Sequence, residues 1–191
     1  MGKLRIIAGT HRGRWISVPE GAGVRPTADR VREALFSILG VRLHGARVLD
    51  PFAGSGALGF EAVSRGAAEV VLIEVDRRVA ATVRDNAAAL GVGDRVRVLH
   101  GDAILEVGRA RARGPWDVVL ADPPIAGDAG DRLLAALVRA RALAPGATVV
   151  VEGEASGPAP RGPAPLVAGR RVTYGRIGLD FLHFPDSRES R

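Results

Sequence analysis

The chain has 191 residues, 47% of them hydrophobic, which is enough for one well-buried domain and short for two. It has no cysteine and four scattered histidines, so disulfides and thiolate metal sites are excluded and no metal is expected. A net charge of +6, no signal peptide and no apolar run near the roughly 18 residues of a membrane span lead to an expected cytoplasmic protein with no membrane partner, monomeric by default.

Residues 4–8 and 15–18 read as the two strands of a small hairpin that turns near residues 10–13. After a loop over residues 19–26, Thr27 or Asp29 is expected to cap a helix running to about Leu39. Val31, Leu35, Ile38 and Leu39 form its apolar face, with Arg30, Arg32 and Glu33 on the others. Residues 1–32 hold seven basic side chains against Glu20 and Asp29, a net +5 that is most of the chain's excess. Such clustering is a candidate phosphate footprint, with a solvated surface as the alternative.

This basic extension, residues 1–40, precedes a second region, 41–186, where strand and helix signals alternate. Strands are expected at 46–50, 69–74, 95–99, 116–121 and 147–152, and helices near 57–65, 77–90 and 129–142. Alternation with continuously apolar strands makes an α/β fold with a parallel sheet covered on both faces. Residues 153–169 read as a loop, 170–176 and 179–184 as a closing hairpin, and 187–191 as a polar tail.

The first strand of the second region leads into Asp50-Pro51-Phe52-Ala53-Gly54-Ser55-Gly56-Ala57-Leu58-Gly59. Glycines there let backbone N–H groups approach a ligand at the positive end of the next helix. Gly54-x-Gly56-x-x-Gly59 formally matches the dinucleotide fingerprint, which keeps an NAD oxidoreductase in view. An acid at the strand tip favours a different ligand, because Asp50 can accept from an ammonium group that S-adenosylmethionine carries and NAD lacks. Glu74 ends the second strand, where a carboxylate can take both ribose hydroxyls, and Asp102 follows the third, where one can accept an adenine amine. The candidate cofactor contacts are Asp50, Phe52, Ala53, Gly54, Ser55, Gly56, Glu74, Asp102 and Ala103. Asp76 is read as the N-cap of the following helix.

Asp122-Pro123-Pro124 follows the apolar run Val118-Val119-Leu120-Ala121. Proline has no N–H and fixes φ, so this strand end becomes a stiff turn rich in acceptors. Acceptors suit an exocyclic NH₂, whose lone pair is delocalised into its ring. The Asp122 carboxylate and Pro123 carbonyl can hold both N–H bonds and turn the lone pair toward an electrophilic methyl group. A plain rigid turn is the alternative.

These residues resemble the RsmD-type family, methyltransferases that make N2-methylguanine at the base numbered 966 of reference 16S rRNA. The resemblance runs over nearly the whole chain. It is carried by Arg5-Ile6-Ile7-Ala8-Gly9, Arg12-Gly13-Arg14, Arg25-Pro26-Thr27 and Asp29-Arg30-Val31-Arg32-Glu33-Ala34-Leu35-Phe36, then by the glycine loop, Leu72-Ile73-Glu74 and the Asp-Pro-Pro turn. It implies a class I, Rossmann-like sheet of seven strands, the last antiparallel, behind an N-terminal hairpin and helix. It further implies S-adenosylmethionine as donor and a guanine of 16S rRNA, in an assembling or assembled small subunit, drawn out of its stack as acceptor. Arg5, Arg12, Arg14, Arg25 and Arg30 would hold phosphates, with Thr27 and Arg32 in the same RNA-facing stretch. The family usually has an aromatic residue after the two prolines, and Ile125 stands there; a stacked ring is worth roughly 1–3 kcal/mol per base. Two other readings stay open: an amino methyltransferase for adenine or cytosine in DNA or another RNA, and an RNA-binding homologue with weakened catalysis.

Overall fold

A computed structural model describes residues 2–19, 26–124 and 127–186, without the side chains of 26–28. Strands β1 (Gly2–Arg5) and β2 (Trp15–Val18) pair as an antiparallel hairpin, followed by helix α1 (Pro26–Leu39). The rest alternates: β3 (Arg47–Asp50), α2 (Ala57–Ser64), β4 (Glu69–Glu74), α3 (Arg77–Leu90), β5 (Val96–His100), α4 (Ala103–Ala110), β6 (Trp116–Ala121), α5 (Ala129–Arg139), β7 (Leu143–Glu154), β8 (Val167–Tyr174) and β9 (Ile177–His183). The seven-stranded sheet runs β5-β4-β3-β6-β7-β9-β8, with β9 antiparallel to both its neighbours. The expected fold class is therefore the observed one. Strand order reverses between β3 and β6, and in open α/β sheets a crevice opens at that point.

Strand alternation sorts the sheet residues cleanly. Val48, Val70, Leu72, Val118, Leu120 and Val150 face α1, α2, α3 and the hairpin, whereas Leu49, Val71, Ile73, Val119, Val149 and Val151 face α4 and α5. The hairpin and α1 add Ile6, Ile16, Leu35 and Phe36 to the first of these cores. Each such fully buried side chain is worth about 1.5–3 kcal/mol. No described helix is long and apolar enough to cross a membrane.

Hydrogen bonds fix where the hairpin sits. The buried Glu61 of α2 accepts from the Ile7 amide at 2.8 Å and the Ala8 amide at 3.0 Å, and pairs with Arg65 at 2.7 Å. Ser64 accepts from the Thr10 amide through its carbonyl and from the His11 amide through its hydroxyl. Gly9 lies so close that a Cβ there would meet the Ser64 carbonyl oxygen at 1.9 Å. On the other side Asn86 of α3 exchanges two 2.9 Å hydrogen bonds with the Ser17 backbone, as a neighbouring strand would.

Several sequence expectations are corrected. Helix α1 starts at Pro26, where its missing N–H is harmless, so neither Thr27 nor Asp29 is the cap; both fall in the first turn. Helix α4 was not expected; it has only eight residues and includes Gly108. Helix α5 stops at Arg139 rather than 142 because Arg141 turns left-handed at φ 51°. The final hairpin turns at Gly175-Arg176, where Gly175 has φ 60°, two residues before the expected turn.

Candidate active site

The residues that follow the inward-facing core positions are acids. Asp50 of β3, Glu74 of β4, Asp122 after β6 and Glu152 of β7 continue the alternation of Val48, Leu72, Leu120 and Val150 at the C-terminal edge of four adjacent strands. Leu120 is opposite Val150 and Ala121 opposite Val151, so Asp122 and Glu152 stand side by side.

Three cavities open along this row, one of about 390 Å³ between Pro123, Pro124, Glu152 and Asp180, and two that meet at Asp122. The larger of these two, about 780 Å³, is lined by Phe52, Gly54, Glu74, Asp102, Ala103 and Asp122, among others. The second, about 300 Å³, lies under the hairpin and α1, with Leu4, Val18, Val31 and Leu35 as apolar walls and Arg32, Asp122 and Glu152 as polar ones. Phe52, Gly54 and Asp122 line both. Asp122 is thus open to a cavity on either side yet enclosed by enough protein that burial raises its pKa.

Glu74 holds the glycine loop. Its Oε2 accepts the Gly54 amide and its Oε1 the Asp76 amide, both at 2.8 Å, leaving a second lone pair on each oxygen. This argues against the dinucleotide reading: Gly56, the fingerprint glycine that a pyrophosphate would approach, gives its amide to the Ala53 carbonyl at 2.7 Å, and the Glu74 carboxylate on Gly54 repels a phosphate. Asp102 caps α4, its Oδ1 accepting from Ile104 at 2.9 Å and Leu105 at 3.1 Å, which leaves Oδ2 at the cavity wall. Asp76 caps α3 as expected, and its two amide bonds hold its pKa below the usual carboxylate range.

Asp50 lies beneath the loop, 1% exposed and lining neither cavity, and neither carboxylate oxygen has a hydrogen-bond partner among the described residues. Burial, and after it the Asp122 charge, push its pKa up to about 8; the Phe52 and Gly59 amides face it and offset part of that shift without reaching hydrogen-bond geometry. A buried carboxylate with no donor is costly unless a cation approaches. Asp50 and the Glu74 and Asp102 acceptors fit a positively charged adenosine derivative such as S-adenosylmethionine.

The remaining candidates divide. Ala53 and Ser55 line the second cavity, not the first, and Gly56 lines neither, serving as the left-handed N-cap of α2 at φ 78°. Pro123 and Pro124 line the larger cavity. Arg5, Arg12, Arg14 and Arg30 are exposed, Arg14 reaching the Ala89 carbonyl at 2.9 Å. Arg32 is not on a solvent face: it is 5% exposed and donates to the Arg5 carbonyl at 2.8 Å and to Asp29 at 3.2 Å. Arg25, Ile125 and residues 187–191 lie outside the described residues, as does the Thr27 side chain. Sequence reasoning missed Glu152, whose pKa is pushed up to about 7 by burial and then by Asp122. It also missed Trp15, 59% exposed opposite Arg5 on the hairpin. Among the described residues no group of three or more His, Asp or Glu side chains could hold a metal ion.

Comparison with known proteins gives the family and the fold. The family profile described as Conserved hypothetical protein 95 matches residues 4–183. Ribosomal RNA small subunit methyltransferase D of Escherichia coli (strain K12) is 40% identical over 176 residues, covering 92% of this chain and 87% of that one. A structure titled putative methyltransferase yhhF from Escherichia coli superposes with a TM-score of 0.85 at 38% identity, over 97% of this chain and all of the other. An RNA methyltransferase from Salinibacter ruber, solved in complex with S-adenosyl-L-homocysteine, shares the fold at 21% identity and a TM-score of 0.64, over 85% of this chain and 95% of its own.

Proposed function

The chain belongs to the RsmD-type family of ribosomal RNA small subunit methyltransferases, and from that premise we propose that it transfers a methyl group from S-adenosylmethionine to the exocyclic N2 of a guanine in 16S rRNA. The observation that carries this reading is the meeting of two cavities at Asp122. The donor occupies the larger one, with Glu74 on the ribose hydroxyls, Asp102 Oδ2 toward the adenine amine, and Asp50 as the counter-charge.

The base enters the second cavity, out of its stack, against apolar walls from the hairpin and α1. S-adenosylmethionine supplies the electrophilic methyl when bound. The Asp122 carboxylate and Pro123 carbonyl hold the amine N–H bonds, direct the nitrogen lone pair across the junction, and stabilise the positive charge that grows on nitrogen until one of its protons passes to water. The exposed Arg5, Arg12, Arg14 and Arg30 hold phosphates of the small subunit, and Trp15 offers a flat face to a neighbouring base.

The test is incubation with methyl-labelled S-adenosylmethionine and unmodified small subunits, with naked rRNA alongside, followed by identification of the labelled nucleoside. Label in N2-methylguanine at one site is the expected result; label in an adenine or cytosine derivative, or none, would overturn the reading.

A further inference from the structure

The second cavity contains more polar chemistry than gripping an amine requires. The Glu152 carboxylate stands beside Asp122 and makes no hydrogen bond or ion pair among the described residues, its backbone being held in the β7–β9 pairing. Arg32 lines the same cavity, and its buried Nε has no hydrogen-bond partner among the described residues, although its terminal nitrogen is tied to Arg5 and Asp29. The tie fixes the guanidinium at the cavity wall, and leaving its buried Nε–H without an acceptor is unfavourable.

We propose that Glu152 and Arg32 select the acceptor base by its Watson–Crick edge, Glu152 accepting the ring N1–H of guanine and Arg32 donating to O6, while Asp122 holds the N2 amine. The proposal rests on the guanine reading above and names the residues that enforce it. Read from the amine, guanine presents donor, donor, acceptor, and the wall offers acceptor (Asp122), acceptor (Glu152), donor (Arg32). Adenine or cytosine with its amine on Asp122 sets a bare ring nitrogen against Glu152, acceptor against acceptor. Adenine also sets a C–H against Arg32. Burial and then Asp122 push Glu152 up to about 7, which favours its protonated form, whereas a ring N–H hydrogen-bonded to it favours the carboxylate that the selection requires. Glu152 and Arg32 need touch neither the methyl group nor the donor, so their part is selection and positioning.

The test uses small subunits reconstituted with either guanosine or 2-aminopurine riboside at the target position. The analogue keeps the amine but has a bare N1 and no O6. Wild-type protein should favour guanine in kcat/KM by about tenfold or more. Glu152→Gln offers an amide N–H to a bare N1, and should move the ratio toward 2-aminopurine by about tenfold while binding S-adenosylmethionine normally. Glu152→Ala, with neither donor nor acceptor, should lose guanine turnover without that gain. A Glu152→Gln protein that slows both substrates equally, or neither, would overturn the assignment while leaving the guanine reading intact. Absence of N2 label from wild-type protein on guanosine subunits would overturn both.

Discussion

Glu61 of α2 and Asp50 at the tip of β3 are both buried carboxylates, 0% and 1% exposed, and they are treated in opposite ways. Glu61 accepts two backbone amides from the hairpin and pairs with Arg65. Asp50 has no hydrogen-bond partner on either oxygen among the described residues, and its pKa is driven up to about 8. Taking a charge out of water is tolerated when donors replace the water, and costly when they do not. Glu61 therefore belongs to the fold, fastening the hairpin that roofs the second cavity. A charged Asp50 destabilises the ligand-free protein and would be relieved by a cation, which is the ground for proposing it as the counter-charge to the donor.

That contrast can be broken by paired substitutions. Glu61→Ala should cost the most, about 3–5 kcal/mol of unfolding free energy in urea titration, because it strands Arg65 and two hairpin amides. Asp50→Asn should cost little stability at pH 8, or add some, while weakening S-adenosylmethionine binding about tenfold, or about 1.4 kcal/mol, by calorimetry. Similar stability losses in the two proteins would erase the distinction.

The pH dependence sharpens it. Between about 4 and about 8 folded Asp50 keeps a proton that the unfolded chain has released, so its stabilising contribution is present at low pH and lost as pH rises. The slope from this one group is about 1.4 kcal/mol per pH unit. Ligand-free Tm should fall from pH 5 to pH 8, and Asp50→Asn should flatten the fall; Glu152, raised to about 7, leaves a residual slope of the same sign. An unchanged slope in the variant would place the proton elsewhere. The smallest effect is expected at the hairpin: Trp15→Ala should weaken small-subunit binding about tenfold at most, with cofactor affinity unchanged, and an unaltered subunit affinity would remove Trp15 from the RNA surface.

What could be read from the sequence follows from which residues carry a local marker. Asp50 and Asp122 are announced by the glycine loop and the proline pair, and Glu74 and Asp102 by their places at apolar strand ends. Glu152 has no marker: it follows Val149-Val150-Val151 in a Glu-Gly-Glu stretch, and only the β6–β7 register sets it beside Asp122. Arg32 is expected from the sequence on a face of α1 other than the apolar one. Its spacing to Leu35, Phe36 and Leu39, three, four and seven residues on, puts it on the buried stripe. The pairing of Glu61 and Ser64 with the hairpin joins segments more than fifty residues apart, which no local pattern reveals.

The junction at Asp122 is tested most directly by measuring S-adenosylmethionine affinity and single-turnover methylation of small subunits with Asp122→Ala. Affinity should stay within about threefold of wild type while the transfer rate falls about a hundredfold or more. Transfer at the wild-type rate would show that the amine is held elsewhere and that the meeting of the two cavities is not the place of reaction.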